Sequence, residues 1–108
     1  MIRLMYFSTA TRNMTRTEVD EIVRTSASAN VARGVTGMLA FNGRNLCQVL
    51  EGEEAQIDGL VEVIREDSRH AGFKVLGRKP IAERRFGEWS MSRVDALDFS
   101  EVMGSMDA

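Results

Sequence analysis

The chain has 108 residues, 44% hydrophobic and 28% charged, which fits one small soluble globular domain and leaves no room for a second. Its formal net charge is -2 and its 14 basic residues are scattered, which argues against nucleic acid, because phosphate binding needs a concentrated basic face. The single cysteine, Cys47, rules out an internal disulfide. Met1 to Leu4 opens no signal peptide, and no apolar run approaches the ~20 residues that cross a bilayer, so a cytoplasmic protein away from the membrane is expected.

Ile2 to Ser8 is a bulky apolar run that predicts a strand, and Thr9 to Asn13 reads as a polar loop. Thr15 and Glu18 form a Thr-x-x-Glu capping box, which starts a helix by satisfying its free backbone donors. Val19, Ile22 and Val23 follow at helical spacing, with Ser26 and Asn30 continuing that face, and Gly34 suits a left-handed stop. Val35 to Phe41 and Asn45 to Glu51 are strand-like runs joined at Asn42-Gly43-Arg44, a hairpin signal because tight turns need positive φ. Gly52 ends the second run.

Ile57, Leu60, Val61 and Ile64 then recur at helical spacing and predict a second amphipathic helix. Phe73 to Leu76, extending towards Ile81, predicts a fourth strand whose end Pro80 places at an edge. Trp89 to Val94 predicts a fifth, and Ala96 onward the start of a short helix. The order is β-α-β-β-α-β with one strand added, an α+β, ferredoxin-like pattern with two helices on one face of a mixed sheet.

Alternation assigns the faces. Leu4, Tyr6 and Ser8 share one side of the first strand and Met5 and Phe7 the other; Leu46, Gln48 and Leu50 oppose Cys47 and Val49 in the third. Both faces are apolar, yet two helices cover only one. The second face is therefore expected to pack on the tail, on a C-terminal extension or on another subunit, with a homo-oligomer through that face as the expected assembly.

Gln48 is out of place in Leu46-Cys47-Gln48-Val49-Leu50, where a buried strand usually carries aliphatic side chains. Burying an amide without partners costs roughly 2–7 kcal/mol. Tyr6 and Asn30 are candidate partners; backbone groups or an edge position are the alternative.

The wider set of motifs resembles the BLUF domain, a sensor of blue light using flavin. The matching runs are Arg3-Leu4-Met5-Tyr6-Phe7-Ser8, Asn30-Val31-Ala32-Arg33-Gly34-Val35-Thr36-Gly37-Met38-Leu39 and Leu46-Cys47-Gln48-Val49-Leu50-Glu51-Gly52-Glu53. Asp67-Ser68-Arg69-His70 and Arg84-Arg85-Phe86-Gly87-Glu88-Trp89-Ser90-Met91 follow in the right order. The resemblance covers residues 1–94 as a flavin-binding photosensor and leaves 95–108 as a short tail or the start of a capping helix.

This resemblance implies a non-enzymatic photoreceptor that holds a flavin non-covalently between the helices, FAD first, with FMN or riboflavin as alternatives. Tyr6 matches the tyrosine that gives an electron and a proton to the excited flavin, and Gln48 the glutamine bridging it to the ring. Asn30 matches the asparagine on the flavin carbonyl edge, and Ile22 and Ile64 the residues that sandwich the ring. Arg69 and His70 match positions near the flavin tail, with Asp67 beside them as a further candidate contact. Trp89 and Met91 match the residues that carry the signal to an unidentified protein partner.

Each has a plainer reading: helix core for Ile22 and Ile64, strand packing for Trp89 and Met91, solvated surface for Asp67, Arg69 and His70. His70 is the only histidine, so no metal site built on histidines is expected. Two departures stand out. Ala29 replaces a residue that is polar or basic in many members, and the chain ends soon after the last matched strand, as a short sensor or a piece of a longer protein would. Three other functions suit the fold. An acylphosphatase-type hydrolase would need a phosphate-cradling loop, but Thr9 to Asn13 has no glycine. An RNA-binding sheet would need exposed aromatic residues and a basic face. A partner-binding module without photochemistry remains the main alternative.

Overall fold

The computed structural model describes residues 1–11, 15–41, 44–86 and 90–93; the side chains at 16, 19, 23, 26, 27 and 90–93 lie outside that description. The elements in chain order are β1 (Ile2–Ala10), α1 (Arg16–Arg33), β2 (Thr36–Phe41), β3 (Asn45–Gly52), α2 (Glu54–Arg65), β4 (His70–Pro80) and β5 (Ser90–Arg93). They form one sheet in the order β4-β1-β3-β2-β5. The first four strands pair antiparallel and β5 joins β2 in parallel. This is the expected ferredoxin-like arrangement with a strand added at the β2 edge.

Local chemistry sets the ends of α1. The Glu18 amide donates to Thr15 Oγ1 at 3.2 Å, and the Thr15 amide donates back to the Glu18 carboxylate at 3.4 Å. Gly34 closes the helix at φ 68°, a left-handed conformation that costs other residues roughly 1–2 kcal/mol, and its amide donates to the Asn30 and Val31 carbonyls. Gly37 answers a different need: a Cβ there would lie 1.9 Å from the Val49 carbonyl oxygen, so only glycine lets β2 lie against β3 at this point. The Asn42-Gly43 turn is outside the described residues, but Phe41 faces Leu46 across the hairpin.

Two boundaries move by two residues or more from the sequence reading, while β2 starts one residue later, at Thr36, and β3 runs through Gly52, which pairs with Ile2. β1 runs through Thr9 and Ala10, because β3 and β4 both offer partners there: Thr9 faces Asn45 on one side and Ala71 on the other. Likewise β4 begins at His70 rather than Phe73, since pairing with Ala10 extends it back past Gly72. Tertiary pairing overrides the local polar composition in both cases. Pro80 closes the edge strand opposite Ile2, as expected. β5 falls inside the expected Trp89 to Val94 run, while Trp89 itself, Val94 and the helix expected from Ala96 lie outside the described residues.

The alternation holds on both faces. Leu4, Tyr6 and Leu50 pack against Ile57, Leu60 and Val61 of α2. Met5, Ala40, Cys47 and Val49 form a second cluster on the outer face, joined by Phe7, Met38 and Phe86. Cys47 and Val49 are fully buried within a single chain, so the centre of the outer face needs no second subunit to exclude water.

Glu51 fastens the segment after β4 to that outer face. Its fully buried carboxylate accepts from Arg3 Nε at 2.9 Å, from the backbone amides of Arg85 and Phe86 at 2.8 Å each, and from Thr36 Oγ1 at 3.3 Å. Arg84 adds bonds to the Gly34 carbonyl at 2.7 Å, the Glu51 carbonyl at 3.0 Å and Thr36 Oγ1 at 2.9 Å. The connection towards β5 is thereby tied to the start of β2 and the end of β3.

Candidate functional site

A cavity of about 210 Å³ lies between the two helices and the inner face of the sheet. Tyr6, Ser8, Leu39, Leu46 and Gln48 line it from the sheet, Ile22 and Asn30 from α1, Leu60 and Ile64 from α2, and Asp67, Arg69 and His70 from the α2–β4 junction. Among the described side chains of α1 only Asn30 is buried, at 2% exposed. Ile22 and Asn30 of α1 face the sheet across the cavity, which occupies the space between them.

Tyr6 and Gln48 are directly opposed across β1 and β3, and the Tyr6 hydroxyl donates to Gln48 Oε1. Both are buried. The amide expected to need a partner therefore has one, and the bond leaves its NH2 end as a donor for something else. Burial holds the Tyr6 phenol well above its ordinary pKa of 10, with Cys47 and Asp67 adding to the effect. Tyr6 is a neutral hydrogen-bond donor across the whole physiological range.

At the far end the Arg69 guanidinium holds the Asp67 carboxyl down to about 2, against the opposing push of partial burial. Arg69 Nε and the Arg69 amide each donate to Asp67 Oδ1 at 2.9 Å. His70 Nε2 meets the Ile64 carbonyl, which can only accept, so Nε2 is the donor and Nδ1 faces another partner. Tyr6, Ile22, Asn30, Gln48, Ile64, Asp67, Arg69 and His70, separated in sequence by up to 64 positions (70 − 6), thus surround one cavity. Of the two residues assigned to signal output, Trp89 lies outside the described residues. Met91 is opposite Leu39, which is itself opposite Gln48.

The sequence reading did not assign Ser8, which lines the cavity, and did not foresee that Phe73, outside it, stacks on Tyr6. Ser8 was legible, being two residues beyond Tyr6 on the same strand face. Phe73 was not, because its position depends on how β4 is offset against β1.

The residues present fit a flavin. Among the described residues, two buried side-chain atoms lack a hydrogen-bond partner, Ser8 Oγ and His70 Nδ1, and both belong to residues lining the cavity. Unpaired buried polar atoms are uncommon and call for a polar partner. Together with the Gln48 and Asn30 amides and the aliphatic Ile22 and Ile64, they suit a ring system with apolar faces and a polar edge.

The family described as sensors of blue-light using FAD, BLUF, matches residues 1–92. The chain belongs to the BLUF family. It is 34% identical over 90 residues to photoactivated adenylate cyclase subunit beta of Euglena longa, covering 82% of this chain and 10% of that protein. Among solved structures it is similar to the dark state of the BLUF protein BlrB, with a TM-score of 0.81 and 29% identity over 98% of this chain and 83% of that one. It also resembles Klebsiella pneumoniae BlrP1 with FMN and cyclic diGMP, with a TM-score of 0.79 and 32% identity over 97% of this chain and 28% of that one.

The chain spans about a tenth of the length of the curated cyclase relatives it matches. As a BLUF domain it is a blue-light photoreceptor module that uses a flavin. No helix among the described residues is long and apolar enough to cross a membrane, and no metal-binding cluster occurs among them.

Proposed function

We propose that this BLUF domain senses blue light through proton-coupled oxidation of Tyr6, with Gln48 as the switch. The observation that carries the reading is the hydrogen bond from the Tyr6 hydroxyl to Gln48 Oε1 at the sheet side of the cavity. A bound flavin supplies a light-excited one-electron oxidant. Tyr6 gives up an electron and its phenolic proton, and the proton leaves along the bond to Gln48. Both return as the charges recombine. The Gln48 amide comes back rotated or as its imide tautomer, which changes the hydrogen bonds it offers to the cavity without net chemistry.

Ile22 and Ile64 would hold the ring faces, Asn30 the carbonyl edge, and Asp67, Arg69 and His70 the polar tail. FAD is the cofactor we propose; FMN and riboflavin carry the same ring. Output would run through β5, whose Met91 lies two strands from Gln48 with Leu39 between, and then to a protein partner or an effector region. A homo-oligomer through the outer face would have to use its rim, since the centre is already buried.

Absorption spectroscopy tests the reading. Tyr6 is the only tyrosine, so Tyr6→Phe removes every tyrosyl donor while keeping the ring for packing. The variant should bind flavin and give no red-shifted state on illumination. An unchanged photocycle would overturn the role given to Tyr6.

A further inference from the structure

Tyr6 is held at two points. Gln48 takes its hydroxyl, and Phe73 takes its ring: the two ring centroids are 4.7 Å apart, with planes 27° from parallel. Phe73 is braced in turn. The Arg65 guanidinium carbon lies 5.4 Å from its ring centroid, and the His70 ring meets it edge-on at 6.1 Å and 62°. The direct β4 partner of Tyr6 is Val75, so Phe73 is a diagonal neighbour, within reach because aromatic rings span that offset. Phe73 is not among the residues that line the cavity.

We propose that Phe73 is a positioning residue for the light reaction and that Arg65 holds Phe73 in place; this rests on the reading of Tyr6 as the donor. The axis of a tyrosine ring fixes where its oxygen lies. A wall against the ring face stops that axis from leaning away from Gln48, so the stack keeps the phenolic proton on its exit path. The electron goes to the light-excited flavin and the proton along the bond to Gln48, and both return as the charges recombine.

The test uses the full chain loaded with FMN and the variants Phe73→Leu, Phe73→Trp and Arg65→Met. Carbon-13 tyrosine gives a single ring signal set, because the chain has one tyrosine. In the dark, Phe73→Leu should speed the flipping of the Tyr6 ring while FMN affinity and the dark spectrum stay as in the wild type. On illumination its yield of red-shifted state per absorbed photon should fall about 2- to 10-fold, the population equivalent of a lost aromatic pair. Phe73→Trp should restore both properties, and Arg65→Met should show a smaller fall in yield.

A wild-type yield in Phe73→Leu, a fall without faster ring flipping, or no rescue by tryptophan overturns the proposal. Should Phe73→Leu fail to fold, Arg65→Met decides: a reduced yield with faster flipping supports the proposal, and wild-type behaviour overturns it. A wild-type protein without any light-induced shift would instead defeat the reading of Tyr6 as donor, while the dark ring-flip rates would still decide whether Phe73 positions the ring.

Discussion

The Tyr6 hydroxyl and the Gln48 amide oxygen meet across directly opposed positions of β1 and β3, 42 residues apart in sequence. Each buried polar group is the other's partner, so neither can be changed alone without stranding the other. Gln48→Leu leaves the Tyr6 hydroxyl without its acceptor and should cost about 1–3 kcal/mol. Tyr6→Phe with Gln48→Leu removes both ends and should come back close to wild-type stability. Denaturant unfolding of the two single variants and the double variant checks this as a mutant cycle. Simple additivity would show that the pair is not coupled. In spectroscopy, Gln48→Leu should still bind flavin and give no red shift.

The Arg3–Glu51 ion pair is buried on both sides, with side chains 4% and 0% exposed and a contact of 2.8 Å. Removing one partner of such a pair typically costs about 3–5 kcal/mol, because the other charge stays buried. Arg3→Met should fall at the low end, since Glu51 keeps the Arg85 and Phe86 amides and Thr36. Arg3→Met with Glu51→Met should recover only part of the loss, because those two amides then lose their acceptor. Thermal unfolding measures all three, and hydrogen exchange at Arg85 and Phe86 should rise only where Glu51 is replaced.

Asp67 predicts an acid limb in stability. Its carboxyl ordinarily titrates near 3.8 and is held down to about 2 in the folded chain, chiefly by the hydrogen bond from Arg69. A lowered folded-state pKa gives stability that is full above the unfolded value and fades as pH falls from about 3.8 through about 2. Asp67→Asn should flatten that part of the pH–stability curve and leave the neutral region with a small, constant loss. An unchanged acid limb in the variant would remove Asp67 as its source.

Cys47 is fully buried, and burial pushes its thiol from 9.0 up to about 11. At pH 8 the thiolate fraction alone then falls roughly a hundredfold, and exclusion of reagent lowers reactivity further. A thiol reagent should therefore label the native chain only as fast as the outer face opens, and label the unfolded chain at once. Faster labelling after illumination would show that light loosens that face.

Much of the fold was legible in the sequence because its signals are local. The capping box, the stop at Gly34, the helical spacing of Ile57, Leu60, Val61 and Ile64, and the two-residue alternation around Tyr6 and Gln48 each need only a few neighbouring side chains. The odd amide among aliphatic residues pointed to a site for the same reason: its burial demanded a partner. The shared motifs then ordered the separate pieces.

Tertiary structure alone decided the rest. Thr9 and Ala10 are strand because two neighbouring strands supply partners, whatever their own composition suggests. Phe73 reaches Tyr6 through the offset of β4 against β1, and Glu51 finds the Arg85 and Phe86 amides more than 30 positions away. Ser8 Oγ and His70 Nδ1 can be recognised as unpaired only once every neighbour is in place. Sequence specifies what each residue can offer, whereas register and burial determine which offers are taken and which stay open to a ligand.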